Sequence, residues 1–356
     1  MTDPTFTNLM PVIRTPELMR FAINSVLSQT REDFELFVVC DGAPLETIRA
    51  AQGVSAHDAR VRVFPFPKGE GHGEAHRHTA LQQARGRYVC GLADDDLWFP
   101  EHLEEMDVLL SEFEFGNLLH ANIMLDGPPF IGLTDFGDPA IRARMMSEPF
   151  NIFGPSNAGY RLETYNRLPI GWSPAPEGLY PDLAMWRKFL ALPNLAAGTR
   201  FVLTSLHFAT PHRRTWSMQQ RSEEIAGYAA LIATSEGRNT LRQGAFRELS
   251  REYTARHDYI VSLLDHAEAL KGNLASAVRR MEADLAAVRE DNLRLRHERE
   301  GMTKELAAVR EYNLHLLQGH AGMANELAAV RSSLSWRVTA PVRSAARRIA
   351  SWSTRG

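Results

Sequence analysis

The chain has 356 residues, 44% of them hydrophobic and 23% charged, which suits one sizeable folded domain with room for an extension. A formal net charge of −3 and a pI near 6.5 exclude a general nucleic-acid binder, whose phosphate contacts need a basic excess over the whole domain. Two cysteines, Cys40 and Cys90, exclude a disulfide framework and a multi-cysteine zinc site. With no basic leader and no apolar run near the ~20 residues that span a bilayer, the chain reads as cytoplasmic, with membrane contact at most peripheral.

Up to about residue 125, short apolar runs alternate with helical patterns, as in an α/β fold whose mainly parallel sheet is covered by helices. The predicted strands are 6–13, 34–40, 61–66, 87–93 and 118–125. Thr15 and Pro16 open a helix with Leu18, Met19, Ala22, Val26 and Leu27 on its inner side, and Pro100 opens another over "PEHLEEMDVLLSEF". From about 126 to 212 the chain turns irregular and rich in Pro, Gly and aromatics, with a helix-like "YPDLAMWRKFL" and a strand-like "RFVLTSLHF". This divides the chain into an α/β domain over 1–212, a polar helical connector over 213–257, a coiled coil over 258–333 and a basic tail over 334–356.

The coiled-coil expectation rests on a repeat. "DLAAVRE", "ELAAVRE" and "ELAAVR" begin at residues 284, 305 and 326, a spacing of 21 residues, or three heptads. One core position holds Leu274, Met281, Val288, Leu295, Met302, Val309, Leu316, Met323 and Val330. The other holds Val278, Leu285, Asn292, Arg299, Leu306, Asn313, His320 and Leu327, where the polar Asn292 and Asn313 favour a low-order homo-oligomer, most simply a parallel dimer. After Glu326 no acidic residue remains. The tail combines Arg337, Arg343, Arg347 and Arg348 with Trp336 and Trp352, so it is suited either to an anionic membrane face or to solvent.

Three consecutive aspartates, Asp94, Asp95 and Asp96, follow the strand-like "RYVCGLA", at the edge of an α/β sheet where ligands bind. Such clustered carboxylates repel one another unless a cation joins them, and oxygen-only ligation selects Mg²⁺ or Mn²⁺; a solvated loop capping the next helix is the alternative. Asp41-Gly42 ends the second strand and puts another carboxylate on the same edge, where a plain turn aspartate is the competing reading. In "GEGHGEAHRH", His72 and His76 have the i, i+4 spacing of a zinc pair. A glycine-rich loop whose helix turns Arg77 and its first amides toward a diphosphate suits the stretch better.

Taken in order, "MPVIRTPELMRFAINSVLSQTREDFELFVVCDGAP", "HRHTALQQARGRYVCGLADDDLWFPEHL", "GPSNAGYRLETYNRL" and "YPDLAMWRKFL" resemble the nucleotide-sugar-dependent family 2 glycosyltransferases of the GT-A fold, over roughly residues 5–212. The resemblance implies that Asp41 contacts the nucleoside and that Arg77 lies near the nucleotide. It implies that Asp94, Asp95 and Asp96 hold a divalent cation, Mg²⁺ or Mn²⁺, on the donor diphosphate. Asp182 would be the catalytic base, although an aspartate there also complements the helix dipole. His212, in "HFATPHRRTW", would add a further metal ligand, and an ordinary surface histidine is the alternative. The implied activity is a metal-dependent inverting transfer of a sugar from a nucleoside diphosphate to a glycan or lipid-linked acceptor, in surface polysaccharide synthesis. The tail stretch "SLSWRVTAPVR" resembles an element that ends many such transferases. The sequence departs from the family pattern at Arg14, Cys40, His78, Ala93 and Pro181. Ala93 and Cys40 motivate a second reading, a non-catalytic interaction module on a coiled-coil scaffold.

Overall fold

A computed structural model describes residues 3–125 and 127–316. Among the described residues nine strands form one sheet: β1 (Phe6–Val12), β2 (Phe34–Asp41), β3 (Val61–Phe66), β4 (Tyr88–Gly91), β5 (Leu97–Trp98), β6 (Phe115–Asn122), β7 (Phe130–Ile131), β8 (Ala158–Arg161) and β9 (Ala197–His207). Their order is β3-β2-β1-β4-β8-β6-β9-β5, with β7 on β6. The first four are parallel, β8 runs antiparallel to both β4 and β6, and β6 is parallel to β9.

Helices α1 (Pro16–Leu27), α2 (Leu45–His57) and α3 (Glu74–Leu81) join these four strands in turn. The chain winds outward from β1 to β2 and β3, then returns to place β4 on the other side of β1. Loops after adjacent strands β1 and β4 thus diverge at a topological switch point, which opens a crevice at the carboxyl edge.

The strand periodicity decides what each face buries. Leu36, Val38 and Cys40 join one apolar cluster with α1 and with α4 (His102–Glu112), whereas Phe37 and Val39 join another with Tyr160, Trp172, Trp186 and Phe189. Both cysteines are free and buried, and burial pushes the Cys40 thiol up to about 11. The predicted strand 61–66 matches β3. The predicted 118–125 is shifted, because pairing with β8 and β9 starts at Phe115 and ends at Asn122.

After α5 (Pro139–Ser147), the short α6 (Leu162–Asn166) and α7 (Pro181–Leu190), the chain continues into α8 (Met218–Ala233) and α9 (Ser235–Leu316). The first compact unit runs from Met1 to Tyr259, so 213–257 is part of it, not a separate connector. Ile225, Ile232, Leu241 and Ala245 are buried there with Leu97, Phe99, Leu203 and Phe208, and α8 starts with a capping box between Ser217 and Gln220.

The second unit begins at Ile260, and its described part is helical to Leu316. Its heptad residues Leu274, Met281, Val288, Leu295 and Met302 are exposed. Met323, Val330 and the tail 334–356 lie outside the described residues. Among the described residues no helix is long and apolar enough to cross a membrane.

Candidate active site

Asp94, Asp95 and Asp96 are not a solvated cap: all three are buried. β4 ends at Gly91, and the next five residues turn at the carboxyl edge before β5 begins. The turn is locked by Ser156 from the "GPSNAGY" stretch. Its hydroxyl donates to Asp96 Oδ2 and accepts from the Ala93 N–H at 3.0 Å, while its carbonyl accepts from the Trp98 indole at 2.6 Å.

Each of the six carboxylate oxygens meets a donor from the protein. Arg14 Nη1 pairs with Asp94 Oδ1 and lies 3.1 Å from Asp95 Oδ1, and the Ile13 N–H approaches Asp94 Oδ2 at 3.5 Å. Asp95 Oδ2 accepts from Arg221 Nη2 at 2.9 Å and from Thr210 Oγ1 at 3.2 Å. Asp96 receives His207 Nδ1 at 3.0 and 3.1 Å on its two oxygens, and the Phe208 N–H at 3.1 Å.

The electrostatics follow from this wiring. Burial, with Asp95 alongside, raises Asp94 to about 6 despite Arg14. Burial and the neighbouring Asp96 also raise Asp95. Burial works against Asp96 too, but His207, Ser156 and the Phe208 amide together hold it below the usual carboxylate range. The Asp96 charge in turn lifts His207 to about 9. Three acidic side chains thus meet three cationic ones.

This arrangement does not fit the divalent cation that the resemblance implies. A hard cation needs several unshielded oxygens converging on one point, whereas here a bound ion would first have to displace a guanidinium from Asp94 and Asp95. Among the described residues no group of three or more His, Cys, Asp or Glu side chains is arranged to hold a metal. His212 is exposed on the short helical turn Thr210–Arg213; the histidine that reaches the aspartates is His207, the last residue of β9.

Asp41 closes β2 on the face of Phe37 and Val39. It is buried and accepts from Lys68 Nζ at 2.5 Å and from the Gly69 N–H at 2.6 Å. Burial raises its pKa, but these two partners outweigh burial and hold it low. Gly73 has φ +74, and a Cβ there would lie 2.7 Å from the Asp41 side chain, so only glycine lets the loop close over this carboxylate.

Arg77 is buried with its guanidinium 4.3 Å from the Trp172 ring, donates to the His72 carbonyl at 2.9 Å, and is lowered by burial in spite of Glu74. It lines a small cleft with Pro11, Gly91, Tyr160, Trp172 and Trp186. The amino end of α3 is filled by the chain itself: buried Glu74 accepts the His72 N–H at 2.8 Å. His72 precedes the helix and His76 turns to the Pro67 carbonyl at 2.9 Å, so the two form no zinc pair.

Asp182 sits in the first turn of α7 and accepts from Asn151 Nδ2 at 2.8 Å. Burial raises its pKa against that bond and two backbone N–H groups. Arg14, Arg221, Thr210, His207, Ser156 and Asn151 are the site residues that sequence reasoning did not select. Of these, Arg14 carried a signal, as a charged residue directly after the first strand.

Residues 8–115 match the model of the family "Glycosyl transferase family 2". Over 121 residues the chain is 31% identical to the Escherichia coli UDP-Glc:alpha-D-GlcNAc-diphosphoundecaprenol beta-1,3-glucosyltransferase WfgD, covering 33% of this chain and 47% of that protein. It is 36% identical over 93 residues to the succinoglycan biosynthesis protein ExoW of Rhizobium meliloti, covering 25% and 28%. The chain thus spans less than half the length of these curated relatives. Among solved structures, Staphylococcus aureus TarS 1–349 superposes with a TM-score of 0.46 at 17% identity, covering 64% of this chain and 65% of that one. Residues 8–115, which carry β1 to β4 of the mixed sheet and the acidic turn, are thus the segment that is similar to glycosyl transferase family 2.

Proposed function

We propose that this chain is an inverting glycosyltransferase that moves a sugar from a nucleoside diphosphate to a glycan or lipid-linked acceptor in polysaccharide synthesis. The observation that carries the reading is the family 2 match over the segment that brings Asp41, Arg77 and Asp94 to Asp96 to one sheet edge. The names of WfgD and ExoW, a nucleotide-sugar-dependent glucosyltransferase and a polysaccharide biosynthesis protein, support the substrate class.

In the reaction, an acceptor hydroxyl oxygen bonds to the anomeric carbon from the face opposite the leaving group. The bond from that carbon to the phosphate oxygen breaks, and its electron pair leaves with the nucleoside diphosphate. Asp182 takes the hydroxyl proton. A carboxylate whose pKa is raised by burial is the stronger base, and the Asn151 amide fixes its orientation. Asp41 and Arg77 line the donor side, and the aromatic wall of Tyr160, Trp172 and Trp186 excludes water.

The exposed heptad face of the second unit is the basis for proposing a homodimer, with a parallel coiled coil covering Leu274, Met281, Val288, Leu295 and Met302. The basic tail is proposed to rest on the inner face of the cell membrane, with the enzyme otherwise in the cytoplasm.

The test is hydrolysis and transfer with a panel of UDP-, GDP- and dTDP-sugars. Turnover of one of them with inversion at the anomeric carbon is expected. No binding and no turnover of any donor would overturn the reading and leave the non-catalytic scaffold.

A further inference from the structure

The acidic turn has its own cations. Arg14 lies two residues past the end of β1, β1 and β4 are neighbours in the sheet, and the carbonyl of Arg14 is held by the Thr47 hydroxyl at 2.9 Å. One amino group of its guanidinium thereby bridges Asp94 and Asp95. Behind it, Arg221 takes the other oxygen of Asp95, and the Thr210 hydroxyl lies between the two arginines, 3.4 Å from Arg14 Nη2 and 3.5 Å from Arg221 Nη2. The side chains of Arg221 and the aspartates are nearly closed to solvent, at 9% for Arg221 and 5% for Asp94, whereas that of Arg14 is 29% exposed. Arg14, with His207 on the Asp96 side at 41% exposure, therefore presents the positive charge of the cluster to solvent, and of the two arginines it is the open one.

We infer that Arg14, backed by Arg221, replaces the divalent cation at the Asp94–Asp96 turn, so that this turn binds no Mg²⁺ or Mn²⁺. A guanidinium carries five N–H donors in a planar fork. With one amino group bridging the two carboxylates, the rest of the fork can meet an anion. Resting on the transferase reading, the anion is the donor diphosphate, and the arginine supplies positive charge at the leaving phosphate. The reaction then proceeds in the presence of a chelator.

The experiment is a titration of Mn²⁺ alone into the full-length protein, followed by the paramagnetic resonance of free Mn²⁺, which disappears on binding. Wild-type protein is expected to leave the signal of the free ion unchanged. Arg14→Ala uncovers two carboxylates and is expected to bind Mn²⁺ at least about tenfold more tightly than wild type; adding Asp95→Asn abolishes that gain. Should Arg14→Ala fail to fold, Arg14→Gln, which keeps volume and removes charge, takes its place. Stoichiometric Mn²⁺ binding by wild type overturns the inference, and so does an Arg14→Ala or Arg14→Gln variant that binds no better than wild type. UDP-, GDP- and dTDP-sugar binding measured in EDTA separates the two readings. A wild type that takes up Mn²⁺ and turns over a donor only with it refutes the replacement alone. A wild type that ignores both Mn²⁺ and every donor refutes the transferase reading alone.

Discussion

Replacing Arg221 by methionine probes the ion-pair cluster in a way that the structure makes quantitative. Arg221 Nη2 lies 2.9 Å from Asp95 Oδ2, and the two side chains are 9% and 6% exposed. With an effective dielectric near 20, this contact carries about 6 kcal/mol of gross attraction, most of it offset by the desolvation of both ions. Losing one partner removes the attraction but leaves the desolvated carboxylate, a change that costs about 3–5 kcal/mol in buried pairs. Here Arg14 stays 3.1 Å from the other oxygen and Thr210 keeps its hydrogen bond. Asp95 is also already raised by burial and by Asp96, so protonation caps the penalty. The expected cost is therefore about 3 kcal/mol, at the low end of that range. Adding Asp95→Asn removes the stranded charge and is expected to recover about 2 kcal/mol of it. Urea denaturation of wild type, both single variants and the double variant closes the cycle. A cost below about 1 kcal/mol for Arg221→Met, or a double variant equal to the sum of the singles, would refute the reasoning.

Asp182→Asn keeps the volume and the Asn151 contact but cannot take a proton; transfer is expected to fall by about 10²–10⁴-fold with donor affinity unchanged, as read by steady-state kinetics beside calorimetry. A chain ending at residue 212 loses the buried Ile225, Ile232 and Leu241, each worth about 1.5–3 kcal/mol, a total that rivals the stability of a domain. Circular dichroism on heating should show no cooperative transition for 1–212 and a clear one for 1–259. Sedimentation should find 1–259 monomeric and the full chain dimeric; the same number of chains per particle for the two would rule out the helical dimer. His102 is fully buried, and burial lowers it from 6.5 to about 3, with Nδ1 2.8 Å from the Thr204 hydroxyl. Below pH 6.5 the unfolded chain binds a proton that the folded chain refuses, so this group's stabilisation, complete above 6.5, is lost as the pH falls, by about 2 kcal/mol by about pH 5. His102→Asn should flatten that part of the stability profile; an unchanged slope in the variant would show that other groups cause it.

Much of the scaffold was legible because its signals are local. Alternation along 34–40 told strand from helix, and the parity of Leu36, Val38 and Cys40 against Phe37 and Val39 assigned the two faces. Thr15-Pro16 marked the start of α1 even though the threonine side chain makes no capping hydrogen bond. The heptad repeat likewise announced a helix with an apolar stripe, because a 21-residue period survives without tertiary context.

The partners of the three aspartates were not legible. A carboxylate's ion-pair partner obeys no periodicity, since it is chosen by whichever strands and helices the topology brings together. Arg14 reaches Asp94 across 80 residues because β1 and β4 are neighbours, His207 reaches Asp96 across 111 because β9 ends beside the turn, and Arg221 reaches Asp95 across 126 because α8 packs on α1. Read along the chain, Asp94, Asp95 and Asp96 are uncompensated charge that calls for a metal. In the fold their charge is answered by side chains from three distant segments, because burial makes an unpaired carboxylate too costly to leave.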